Sequence, residues 1–92
     1  MIRHYYAPRF DRDYRKLSRK EQDAVDQAID ILLRYFAHEI ELPHGLGLKR
    51  LVGDYWEIRT SLKTRVIFEL GNPLGFLLVG SHDAVRRFIR EV

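Results

Sequence analysis

The chain is 92 residues long, with 46% hydrophobic and 32% charged residues, so it buries one small core as a single domain over residues 1–92. Cysteine is absent, which excludes disulfides, thiolate metal sites and a cysteine nucleophile. The net charge of +3 permits a polyanionic partner but does not require one.

No apolar run approaches the ~18 residues that cross a bilayer. The opening Met1-Ile2-Arg3-His4-Tyr5-Tyr6 lacks the apolar core of a signal peptide, so a cytoplasmic location with no membrane contact is expected. Met1 to Tyr6 is β-branched and aromatic and reads as a strand that Pro8 ends. Phe10, Tyr14 and Leu17 then recur at helical spacing and predict a short helix. Ser18-Arg19-Lys20-Glu21 is a capping box, and Val25, Ile29, Leu32 and Phe36 form one apolar stripe behind it. A second helix is expected from about Arg19 to about Ala37, making a helical hairpin with the first.

Glu39 to Leu48 holds Pro43, Gly45 and Gly47 and reads as a loop. The period then changes from helical to alternating. Trp56, Ile58 and Thr60 alternate with Glu57, Arg59 and Ser61. From Thr64 to Leu70, Val66, Phe68 and Leu70 alternate with Arg65, Ile67 and Glu69. Gly71-Asn72-Pro73 is a turn, and Phe76 to Val79 is apolar throughout, as a central strand is. His82-Asp83 opens a last helix carrying Val85, Phe88 and Ile89. The expectation is an α+β fold in the order β-α-α-β-β-β-α. Its last three strands form an antiparallel meander, the first strand joins them, and the helical hairpin covers one face.

With Trp56, Ile58 and Thr60 turned to the helices, Glu57, Arg59 and Ser61 take the other face, partly open, together with Arg65, Ile67 and Glu69. Lys49 and Arg50 precede the second strand, and His82 and Arg86 flank the far end of the sheet. Arginine forks match phosphate oxygens two at a time. Such a face suits cleavage of RNA by its own 2′-hydroxyl without a metal. Cations stabilise the phosphorane while a histidine, with an unperturbed pKa of ~6.5, moves the proton. The same pattern is also that of a solvated sheet face, with Glu57 and Glu69 pairing across strands to Arg59 and Arg65. His82-Asp83 is equally readable as a helix start with Asp83 as its cap. His38 and His44 lack a third ligand at useful spacing, so neither a metal nor a cofactor is expected.

Four segments together are similar to the RelE/ParE superfamily of bacterial toxins. They are Leu48-Lys49-Arg50-Leu51, Gly53-Asp54-Tyr55-Trp56-Glu57-Ile58-Arg59, Arg65-Val66-Ile67-Phe68 and Leu78-Val79-Gly80-Ser81-His82-Asp83. The resemblance covers nearly the whole chain and implies the RelE-like microbial ribonuclease fold. It further implies the toxin of a type II toxin–antitoxin pair: a metal-independent endoribonuclease that cuts mRNA on the ribosome and is held by a cognate antitoxin. By the same resemblance Arg65 matches a phosphate-binding arginine, Arg59 lies near a basic position of the preceding strand, and His82 matches a position that carries arginine or histidine. Arg86 falls near a position where many members have a catalytic tyrosine. On this basis Arg65, His82 and Arg59 are the candidate catalytic residues, and Lys49, Arg50 and Arg86 the candidate phosphate contacts. No tyrosine follows His82. Two alternatives stay open: a ParE-like inhibitor of DNA gyrase, and a decayed toxin that keeps only antitoxin binding.

Overall fold

A computed structural model describes residues 2–92; the expected strand at Met1 therefore lies partly outside the described residues. Strand β1 is His4–Tyr6. Helix α1, Pro8–Arg15, starts with proline in its first turn, where a missing N–H leaves no bond unmade. Helix α2 is Arg19–Phe36. The capping box is formed in full: the Glu21 amide donates to Ser18 Oγ at 3.2 Å, and the Ser18 amide donates to Glu21 at 3.1 Å. The helix is closed just past its Ala37 cap by His38, whose φ of 62° is left-handed. The His38 amide donates to the Tyr35 carbonyl and the Glu39 amide to the Arg34 carbonyl, the double closure that satisfies the last orphan carbonyls of a helix.

Beyond a 3-10 turn at His44–Leu46 come β2 (Lys49–Val52), β3 (Tyr55–Arg59), β4 (Arg65–Glu69), β5 (Leu74–Gly80) and helix α3 (His82–Glu91). The fold is α+β as the sequence implies, with one strand more than expected. Residues 49–52 pair antiparallel with β3, across a two-residue turn at Gly53-Asp54. Gly53 has a φ of 54°, the conformation such tight hairpins require at a central position. The sheet order is β1-β5-β4-β3-β2, with β1 parallel to β5 and all other pairs antiparallel. β5 is thus an inner strand, in keeping with its apolar sequence.

The helical hairpin covers one face. Phe10, Val25, Ile29 and Leu32 pack there with Ile58, Val66, Phe68 and Phe76. Tyr6 stacks on Phe76 at 5.3 Å between ring centroids, and Trp56 and Leu70 border the same core. An Asp13 carboxylate oxygen on α1 accepts from the Val79 amide at 3.2 Å, tying α1 to β5. The second face is less open than the alternation suggests. Helix α3 crosses it, burying Ile67 and Leu78 under Val85, with Leu51, Leu77 and Phe88 around them. The cap of α3 is Ser81, whose Oγ accepts from the Ala84 amide at 3.3 Å, and not Asp83.

Candidate active site

The register decides which side chains meet. Arg59 and Arg65 are Cα partners across β3 and β4, and Arg65 is in turn the partner of Gly80 on β5. Lys49 is the partner of Glu57, two residues back along β3 from Arg59. Partners point to the same face of a sheet, so Lys49, Glu57, Arg59 and Arg65 share the face that α3 partly covers. His82 begins α3 two residues after Gly80, at the same end of the sheet as the two arginines, and is exposed.

Two like charges on directly opposed residues repel, and such a pair persists where an anion offsets it. Here one anion is internal. Arg65 Nε lies 3.0 Å from a Glu57 carboxylate oxygen, and the two side chains are only 13% and 8% exposed. The pair runs diagonally, because Glu57 opposes Ile67 while Arg65 opposes Arg59. Glu57 therefore holds the Arg65 guanidinium at its Nε edge. Arg59 is exposed and makes no ion pair among the described residues. Gly47 gives that side chain room. A Cβ at Gly47 would stand 3.1 Å from the Arg59 Cβ, and its φ of 63° already favours glycine.

The remaining candidates are dispersed. Arg50 is the partner of Trp56, not of Glu57, and its Nε donates to the Gly53 carbonyl at 2.9 Å, bracing the hairpin turn. Arg86 borders a groove on the outer side of α3, with Asp83, Arg87 and Arg90. Glu57 is a participant that the sequence names only as a cross-strand partner. Its signal was the alternation itself, which places it on the face of Arg65. Among the described residues no three His, Asp or Glu side chains come together as metal ligands, and no helix is long and apolar enough to cross a membrane.

The arrangement offers one largely shielded guanidinium paired to a carboxylate, one exposed guanidinium beside it, an ammonium at the rim and an imidazole at the start of α3. No family model matches the chain, and no curated protein matches it by sequence. Solved structures do match it in shape. YafQ from E. coli strain BL21(DE3) superposes with a TM-score of 0.69 at 16% identity, covering 92% of this chain and 98% of that one. RelE in the RelB–RelE antitoxin–toxin complex from Methanococcus jannaschii gives 0.67 at 16% identity, over 90% and 95%. YoeB from Staphylococcus aureus, solved as a dimer, gives 0.66 at 15% identity, over 88% and 97%. The chain has the fold of the RelE-like toxins.

Proposed function

We propose that this chain is the toxin of a toxin–antitoxin pair and acts as a metal-independent endoribonuclease on ribosome-bound mRNA. The observation that carries the reading is the Arg59–Arg65 cross-strand pair, with His82 beginning α3 at the same end of the sheet. The resemblance in four sequence segments and the shape shared with YafQ, RelE and YoeB support it. The antitoxin is inferred from RelE, which was solved bound to RelB.

In this reading a phosphate seats against Arg59 and Arg65. The 2′-oxygen of the preceding nucleotide bonds to phosphorus, the bond from phosphorus to the 5′-oxygen breaks, and a 2′,3′-cyclic phosphate and a 5′-hydroxyl remain. Charge grows on the non-bridging oxygens as the phosphorane forms, and a fixed guanidinium strengthens its hold at that moment. Glu57 acts as a positioning residue for Arg65, and Lys49 contacts the chain of phosphates from the rim. His82 moves a proton at the 2′- or 5′-oxygen. In vitro translation with primer-extension mapping of the mRNA, run beside a gyrase supercoiling assay, tests the reading. Discrete mRNA cuts with normal supercoiling are expected. Intact mRNA with blocked supercoiling reverses the assignment in favour of the ParE-like alternative.

A further inference from the structure

The most exposed large apolar side chain of the described residues is Leu62, at 91%. Single exposed leucines are ordinary on protein surfaces. This one differs in how it is held and in what flanks it. It lies in the turn that joins β3 to β4, three residues after Arg59 and three before Arg65. The turn is built rather than loose. The Thr60 amide donates to the Thr64 carbonyl at 3.0 Å, and the Thr60 hydroxyl donates to the same oxygen at 3.2 Å. Ser61 Oγ accepts from the Lys63 amide at 3.3 Å and the Thr64 amide at 3.1 Å. Thr64 is buried. A braced turn thus holds an apolar side chain in water, beside an exposed lysine and beyond two arginines.

Three residues of chain span at most ~10 Å, so Leu62 stands within that distance of the arginine pair. A phosphate on Arg59 and Arg65 brings the neighbouring bases of the same strand to that distance. Attack by the 2′-oxygen needs it opposite the leaving 5′-oxygen, and a stacked strand does not offer that alignment. The flanking bases must separate. Apolar side chains driven between base steps do this in proteins that unstack nucleic acids.

We propose that Leu62 is a wedge that separates the bases beside the scissile phosphate, with Lys63 holding the next phosphate. The inference rests on the ribonuclease reading and adds a residue that sets the geometry of its substrate. Leu62 acts on the bases and leaves the charge at phosphorus to Arg59 and Arg65.

The test uses the full chain and programmed ribosomes. Their mRNA carries 2-aminopurine on the 3′ side of the scissile phosphate and a 2′-deoxy sugar at the attacking nucleotide, which blocks cleavage. Wild type should brighten the fluorophore severalfold. Leu62→Ser should not, although it binds within about twofold as tightly, and Leu62→Met should restore the signal. On cleavable mRNA, Leu62→Ser should lower kcat ~10-fold with little change in KM, since the lost contact belongs to the reacting geometry. An abasic nucleotide at the fluorophore position should bring Leu62→Ser back towards wild type. Wild-type brightening and cleavage by Leu62→Ser overturn the wedge while leaving the ribonuclease reading standing. Unchanged cleavage with weakened antitoxin binding also overturns it and makes Leu62 a protein contact. A wild-type chain that cuts no mRNA at all overturns both.

Discussion

Arg65 and Glu57 form an ion pair at 3.0 Å, diagonal across β3 and β4, with both side chains largely shielded from water. Shielding makes the pair strong in attraction and expensive in desolvation, so its effect is best seen by removing one partner. Glu57→Ala leaves the Arg65 charge buried and opposed to Arg59. It should destabilise the fold by ~3–5 kcal/mol, read from urea unfolding. The double variant Glu57→Ala/Arg65→Ala should recover part of that loss, because no uncompensated charge remains. Additive losses in the two single variants would show that the carboxylate does not hold the arginine.

The α2 capping box links stability to acid. The Glu21 carboxyl is held below its ordinary value, first by the Ser18 amide, then by the Ser18 hydroxyl, with Lys63 and Thr64 adding to it. A depressed carboxyl pKa means that the native state favours the charged form. The stability it adds is present above the unfolded-state value of 4.5 and fades as pH falls through the lower native value. Thermal melts between neutral pH and pH 3 should therefore fall less for Glu21→Gln than for wild type. Ser18→Ala should cost ~1 kcal/mol at neutral pH, as lost caps do.

Tyr14 should report its partner at alkaline pH. Its hydroxyl donates to both oxygens of Asp26, at 2.8 and 2.9 Å, and this bond to a carboxylate raises the phenol from 10.0 to about 12. The native state keeps the proton longer than the unfolded chain. The associated stability is present below pH 10 and lost as pH climbs towards the native value. Absorbance titration of the phenolates should show Tyr14 ionising last-phase near its raised value, and Asp26→Asn should bring it back down. An unchanged titration in Asp26→Asn would mean that another group holds the proton.

His38 closes α2 in a left-handed conformation that burdens any residue with a Cβ. His38→Gly keeps both closing backbone bonds and removes that strain. It should stabilise the protein by about 1 kcal/mol in urea unfolding. A loss of stability would show that the imidazole itself contributes.

Much of this was legible in the sequence, and the exceptions have particular causes. Ser18 and Glu21 announce the start of α2, and the stripe through Leu32 marks its buried side. Alternation through Trp56, Ile58 and Arg59 sorts β3 between the two faces. Strand β2 was hidden because Lys49, Arg50 and Val52 are all exposed on an edge, so no alternation marks them. The Gly53-Asp54 pair was its signal. The partial closure of the second face was hidden for another reason. Alternation puts Ile67 on the arginine face, and only the crossing of α3 covers it there. The Glu57–Arg65 pair needs both the register and that cover. Alternation alone puts the two on one face without choosing Arg65 over Arg59 as the partner.

The site's central claim is that Arg65 acts by charge on a phosphate and His82 by moving a proton. The direct measurement is primer-extension mapping of mRNA cleavage on ribosomes for wild type, Arg65→Ala, Arg65→Lys and His82→Ala, with pH profiles for those that cut. Arg65→Ala should slow cleavage ~10²-fold or more, the loss typical of a removed oxyanion donor. Arg65→Lys should restore only part, because a point charge does not reproduce the fork. His82→Ala should slow it ~10²–10⁴-fold and remove one limb of the pH profile, as loss of a general acid or base does. Growth arrest should follow the same ranking. Toxicity retained in both alanine variants, with mRNA intact throughout, would contradict the account.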